Sequence, residues 1–493
     1  MNRAVDVSSS TNRIVRITPI IVIATPIIAF LVYYEFYPAI TPLLNPDSDG
    51  YLQFAAYRTG GYPFFLELLK PLIRDVSDYA LAQRLLFASA VFVLAFQLLR
   101  SFGSLILTVF VEFALLGIPA VNAFHFQIIT ESLFLSTSAF FLAATVSHLR
   151  SGSWSSLAVA FAISGYAVAI RPSGLAFVPA VAGLLLLAPR SSLPKTIWVR
   201  LFIAFAPLLL VLLFENLFYH ARHPGPRESL LANQMFGKAG MIEVSDASEL
   251  IGLAPALTKP LQIDLEINLA PVRRLIADAP NLPTRCWLVQ NYELFTEYHF
   301  AIEQRAALAT SRDGQAVVKG AWSRLRHGFP DYIRLSFDHW RCLWTLSLFD
   351  LDELAALYSY LDNRRPLPLA QALSDTPSLF SNSNRARISL FVLRAGMVGG
   401  GLLLAFSFAV LLVQCSRGRQ PNLMVTVSAV CGVIVHGGFL ISALGGLGIP
   451  RYAIGLWVPF VLGSCLSILW VFNAVPNVLF PTRIARDLTR TNR

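Results

Sequence analysis

Two aspartates stand two residues apart in "NPDSDGYLQFAAYRTGGYP", Asp47 and Asp49, directly after the first long apolar run of the chain. A carboxylate held at the surface of a bilayer is partly desolvated, and a neighbouring like charge disfavours its ionisation further. Both effects suit a general base that must take a proton from a hydroxyl near neutral pH. A pair of solvated loop acids, one of them capping a helix, is the alternative. Glu131 opens a later apolar run in "HFQIITESLFLSTSAFF", behind His125 and Gln127. There an acid also has a plain structural use, because it favours the positive end of the helix dipole. Arg171 in "AIRPSGLAF" and Arg451 in "GLGIPRYAIGLWVPF" are isolated cations beside helix-breaking Pro and Gly. Arginine matches phosphate in a bidentate fork, and a helix-end arginine can also simply snorkel to water. Tyr51, Tyr62, Lys70, Arg74 and Tyr452 complete the candidate ligand contacts, with Asp47, Asp49 and Glu131 as the candidate catalytic acids.

What must position these residues is a set of membrane helices. The 493 residues are 55% hydrophobic and only 14% charged, whereas soluble domains carry about 25% charged residues. A span needs about 20 apolar residues. Runs of that order fall near 17–35, 80–99, 104–122, 130–149, 155–170, 173–189, 200–219, 388–415, 422–443 and 452–472, about ten in all. The first is long for a signal-peptide core and has no small-residue cleavage site, so it reads as an uncleaved span. The fold class expected is therefore an all-α polytopic membrane protein.

Lys/Arg bias sets the orientation. With the N-terminus inside, the segments on that side hold Arg3, Arg13, Arg16, Arg100, Arg150, Arg190, Lys195, Arg200, Arg417, Arg419, Arg483, Arg486, Arg490 and Arg493, opposed only by Asp6 and Asp487. Topology thus accounts for much of the net charge of +10, and no nucleic-acid partner is implied. The other face collects residues 37–79, the turn at 122–131, Arg171-Pro172, a long insertion over 220–387, and Gly446 to Tyr452. Three units follow: an N-terminal membrane module over 1–219, the extracytoplasmic insertion over 220–387, and C-terminal helices with a basic cytoplasmic tail over 388–493.

Several features carry weaker readings. "GGYPFFLELLKPLIRDVSDY" aligns Phe64, Phe65, Leu68, Leu69, Leu72 and Ile73 as the apolar stripe of a helix lying in the interface. In the insertion, Trp322, Leu325, Tyr332, Leu335, Trp340 and Leu343 recur at roughly helical spacing, as in a segment that rests on the membrane surface or on the bundle. Glu112, Glu215 and His436 fall within apolar runs, where an ionisable group is costly unless neutral or paired. Cys286 and Cys342 are either a disulfide in an oxidising compartment or two buried thiols. No zinc-type spacing occurs, and no metal or cofactor is expected.

The order "DSDGY" in the first long outer loop, then "GYP", "TESLFL", "RPSG" and "PRY" resembles the GT-C superfamily of membrane glycosyltransferases. The nearest branch is the bacterial group related to protein O-mannosyltransferases and aminoarabinose transferases. The resemblance covers the first seven or so spans and the late "PRY" element, not the insertion. It implies an inverting transfer of a sugar from a polyprenyl-phosphate carrier to a glycan, lipid or protein acceptor on the outer face of a bacterial inner membrane. Asp47 then corresponds to the acid of the first outer loop with Asp49 in reserve, Glu131 to the second acid, and Arg171 and Arg451 to contacts for the carrier phosphate. Ser48 follows the acid here, where the mannosyltransferase branch has Glu. Two other classes use similar features. An envelope-polymer ligase or polymerase would take diphosphate-linked glycans, and a lipid-linked glycan transporter or flippase would depend on an intramembrane polar residue such as Glu112.

Overall fold

The computed structural model describes residues 8–36, 44, 47–187, 197–225, 384–445 and 450–479. Within the long insertion it describes 325–345 and scattered positions that include Arg227, Lys238, Arg285, Cys286 and Trp322. The described residues form helices and connecting turns, with no strand among them. In order they are α1 (Ser8–Phe36), α2 (Ser48–Leu52), α3 (Gly61–Leu69), α4 (Val76–Phe102), α5 (Leu105–Leu116), α6 (Pro119–Asn122), α7 (Thr130–Ser151), α8 (Trp154–Ile170), α9 (Phe177–Leu187) and α10 (Ile197–Arg222). After these come α11 (Phe329–Thr345) in the insertion, then α12 (Asn384–Ser416), α13 (Leu423–Gly445), α14 (Pro450–Gly455) and α15 (Trp457–Leu479).

Each of the ten apolar runs contains a helix, but the runs near 104–122, 173–189 and 452–472 are broken between two elements. Among the described residues, six helices are long and apolar enough to cross a membrane: Val76–Phe102, Thr130–Ser151, Leu201–Arg222, Phe391–Ser416, Leu423–Gly445 and Trp457–Ala474. The apolar parts of α1, α5, α8 and α9 are shorter.

Local chemistry sets the helix ends. Asp75 caps α4, accepting from the Ser77 backbone N–H, while Asp78 reaches back to the N–H of Asp75. This reciprocal capping satisfies amides that the first turn leaves open. Ser104 and Ser153 cap α5 and α8 with a single bond each, accepting from the N–H of Leu107 and of Ser156. At the other end of α8, Pro172 forces Arg171 out of the helical region to φ −162°, ψ 153°. The carbonyl of Arg171 then accepts from Gly174 N–H at 2.9 Å. Only glycine fits at 174, since a Cβ there would lie 2.1 Å from the Ala167 carbonyl oxygen.

α7 is the central post. It packs against α4, α8, α9, α14 and α15, and is buried along nearly its whole length. Its hydroxyls tolerate this because Ser136, Thr137 and Ser138 donate back to the carbonyls of Ser132, Leu133 and Phe134 at 2.7–3.1 Å. The helices α4, α5, α7, α8, α10, α13 and α15 are tied into one apolar core. α3 and the turn before it sit across one end of the bundle. There Thr59 Oγ1 donates to the Ile170 carbonyl at 2.9 Å, Tyr166 to Gly61 O at 3.1 Å, and Tyr219 to Ala56 O at 2.6 Å.

α3 departs from the expected stripe. It buries Tyr62, Pro63 and Leu66, and Phe64 packs on Phe214 and Phe218 of α10. Leu68 and Leu72 point away from the protein, and the helix gives way to a tight turn at Lys70–Leu72. Glu215 has the partner that burial demands, in the segment just after its own helix. It forms a double-bonded ion pair with Arg227, at 2.5 and 2.9 Å, and accepts Gly60 N–H at 2.7 Å. Cys286 and Cys342 are joined in a disulfide.

Candidate functional site

Asp47, Glu131, Arg171, Tyr452, Tyr51, Tyr62 and His125 are gathered at the α3 end of the bundle, around two ion pairs. The first is local. Arg58 Nη2 donates to Asp47 Oδ1 at 2.6 Å, and its Nη1 to Tyr51 Oη at 3.1 Å. The guanidinium lies 4.3 Å from the Tyr51 ring centre and 5.0 Å from that of Tyr57. Arg58 is buried, whereas the Asp47 side chain keeps 21% exposure, so the acid stays open to an incoming group while its counter-charge does not. The partner expected for Asp47 was a second acid. The structure supplies a cation instead, and Asp49 faces outward in the first turn of α2.

The second pair is tertiary. Arg171, stopped by Pro172 at the end of α8, lies 3.5 Å from Glu131 in the first turn of α7, with 8% and 2% of the two side chains exposed. The Glu131 side chain is therefore no solvated helix cap, and Thr130 Oγ1 also donates to its Oε2 at 3.3 Å. Arg171 does not snorkel either. Its guanidinium lies 4.8 Å from the Tyr452 ring centre and 5.4 Å from that of Phe134. Two buried guanidinium nitrogens, Arg58 Nε and Arg171 Nη1, make no hydrogen bond. Arg171 Nη1 is nonetheless the nitrogen that faces Glu131 Oε1 at 3.5 Å, so its charge is opposed by that carboxylate.

Aromatic and amide groups join the pairs. The rings of Tyr51 and Tyr62 meet edge to face at 5.2 Å, and Tyr62 Oη donates to Gln83 Oε1 at 2.8 Å. Gln83 Nε2 in turn donates to the carbonyls of Gln127 at 3.1 Å and His125 at 3.4 Å. Burial, with Tyr51 and Glu131 nearby, pushes the Tyr62 phenol well above its ordinary pKa, so Tyr62 stays a neutral donor. His125 is sealed under Phe87, ring centres 4.3 Å apart, with Nδ1 2.7 Å from Ser132 Oγ. Burial first, then the Arg84 charge, lowers its pKa to about 3. It is a neutral, structural imidazole that braces the turn before α7.

Lys70 and Arg74 stand apart. Both are exposed; Lys70 reaches Glu67 only at 3.9 Å, and Arg74 contributes its backbone N–H to Asp78. The backbone of Arg451 runs in α14, but its side chain lies outside the described residues. Arg58, Gln83 and Arg84 were missed in the sequence. The one signal for Arg58 was a lone arginine between Tyr57 and a Thr-Gly-Gly turn. Among the described residues no three His, Cys, Asp or Glu side chains converge as metal ligands.

The arrangement sets a partly exposed carboxylate, Asp47, beside a buried Glu131–Arg171 pair at the end of the bundle. Comparison with family models, with curated proteins and with solved structures gave no match.

Proposed function

We propose that this chain is a polytopic membrane glycosyltransferase of GT-C type that moves a sugar from a polyprenyl-phosphate carrier to a glycan, lipid or protein acceptor on the outer side of a bacterial inner membrane. The observation that carries it is a pair of carboxylate–guanidinium contacts at one end of an apolar helix bundle, Glu131–Arg171 buried and Asp47–Arg58 with its acid still partly exposed. In this reading the acceptor oxygen attacks the anomeric carbon with inversion, and Asp47 takes the hydroxyl proton. The bond from that carbon to the phosphate oxygen breaks, and the carrier leaves as a phosphate whose charge the Arg171 guanidinium meets. Positive charge suffices for such a leaving group. A lipid-borne donor also accounts for a site at the end of membrane helices, since its tail need not leave the bilayer.

We read ten crossings, with α1, α5, α8 and α9 spanning beside the six longer helices, and both termini cytoplasmic. The Lys/Arg bias supports that orientation, and the Cys286–Cys342 disulfide supports an oxidising compartment for the insertion.

The transporter reading has one observation in its favour: both carboxylate oxygens of the buried Glu112 lack a hydrogen bond. Glu112 lies near the middle of α5. The test is donor binding by purified protein in detergent. Arg171→Gln should lose affinity for a polyprenyl monophosphate, and unchanged affinity would remove the phosphate role. Full function in Asp47→Asn with complete loss in Glu112→Gln would favour transport instead.

A further inference from the structure

α11 is polarised the wrong way round for a helix that rests on protein and faces water. Its inward side holds Ser336, Asp338, His339, Cys342 and Leu343, all buried. Its outward side carries Phe329, Ile333 and Phe337, one turn apart and 55%, 42% and 54% exposed. Water-facing helices show the reverse pattern.

The rotation is locked. Asp338 pairs with Arg285 at 2.8 Å, His339 Nδ1 lies 3.0 Å from the fully buried Lys238 Nζ, and Cys342 is bonded to Cys286. Lys238 also donates to the carbonyl of Ala443 near the end of α13. The helix cannot roll its aromatic side inward without breaking these contacts.

Its depth is set by the same neighbour. Tyr332 donates to the Leu444 carbonyl at 2.9 Å, at the end of α13. Trp344 packs instead on Phe439 and His436, ring centres 4.6 and 4.9 Å away. From Leu444 to His436 is about 12 Å along a helix. α11 therefore descends beside a spanning-length helix; it also packs against α12, which exposes Phe391, Val392, Val398 and Leu402. Arg326, Arg334 and Arg341 are exposed on this stretch against a single exposed acid, Asp331.

We propose that the outward face of α11 is a lipid-binding surface. Phe329, Ile333 and Phe337 enter the acyl chains, and Arg326 and Arg334 meet the phosphates of anionic headgroups. An aromatic face beside basic residues is the composition that binds such an interface. The proposal rests on the apolar helices being membrane spans and not on the transferase reading.

The test uses full-length protein with Cys415, Cys431 and Cys465 replaced by Ser and the native disulfide kept. Phe337→Cys, and separately Ile333→Cys as a second position, carries a bimane label in liposomes. Quenching by brominated phosphatidylcholine, brominated phosphatidylglycerol and aqueous iodide is compared with a label at Asp331→Cys. The expected result is strong lipid quenching and weak iodide quenching at 333 and 337, with the reverse at 331. The phosphatidylglycerol effect should exceed that of phosphatidylcholine severalfold, and Arg326→Gln with Arg334→Gln should abolish the excess. Iodide quenching at 333 and 337 would show a face in water. Protection from every quencher would show a protein partner. Either overturns the surface, and equal quenching by the two lipids overturns the headgroup contact.

Discussion

Replacing Glu131 with Gln keeps the shape of the side chain and removes the charge that faces Arg171. At 3.5 Å two unit charges attract by about 5 kcal/mol at an effective dielectric of 20. Removing one partner of a buried pair typically costs about 3–5 kcal/mol, because the other charge is left without compensation. The Phe134 and Tyr452 rings stay against Arg171 in the variant, and each such contact returns about 1 kcal/mol. The expected loss is therefore near the lower end, about 3 kcal/mol. The assay is equilibrium unfolding in mixed micelles of the wild type, Glu131→Gln, Arg171→Met and the double variant. The double variant should be more stable than Glu131→Gln alone, because its buried charge is gone, with a coupling of about 2–3 kcal/mol. Additivity of the two single changes to within about 0.5 kcal/mol would refute the pairing.

Gly61→Ala would place a Cβ 2.6 Å from the carbonyl carbon and oxygen of Ala169, so α3 must back away from α8. Thermal unfolding should fall by the equivalent of about 1–3 kcal/mol, and an unchanged midpoint would show that the approach is looser than described. His125 makes stability fall on acidification. Its folded pKa is about 3 against about 6.5 unfolded, so between those values the unfolded chain binds a proton the folded chain refuses. Stability is full above the unfolded value and drops by up to about 1.4 kcal/mol per pH unit through that window. His125→Gln should flatten the slope in unfolding measured from pH 7 to 4. Replacing Cys286 and Cys342 together with Ser opens a link across 56 residues, which the chain-entropy model values at about 4 kcal/mol. Limited proteolysis of the insertion should accelerate while the membrane helices stay resistant; equal cleavage rates would contradict a role for the disulfide in holding α11.

Much of the bundle was legible because its signal is local. An apolar run with a Ser or Asp cap before it and a Gly or Pro after it specifies a helix with no help from elsewhere, as at Asp75, Ser104 and Pro172. Span length was less legible, since Leu105–Leu116 shares its apolar run with the irregular turn at residues 117–125. The site was half legible. Sequence singled out Asp47, Glu131 and Arg171 by their placement on one face. It did not show that Glu131 and Arg171 pair, because an ion pair between residues 40 positions apart is a property of how α7 and α8 pack. Arg58 and Gln83 were hidden for the same reason: their partners are fixed by the turn before α3 and by the approach of the 125–127 segment. The polarity of α11 was misleading in sequence. Helical spacing grouped Trp322 with Leu325 and Leu343, but Trp322 is exposed and the two leucines are buried.

The central claim, a transferase that uses Asp47 as its base, is tested most directly by reconstituting the chain in liposomes with a mixed pool of polyprenyl-monophosphate sugars and an envelope extract. Mass spectrometry follows each donor, with wild type and Asp47→Asn compared at equal folded amounts. Loss of one donor species with the wild type alone is the predicted result. Retention of every donor with both proteins, or equal loss with both, would contradict it.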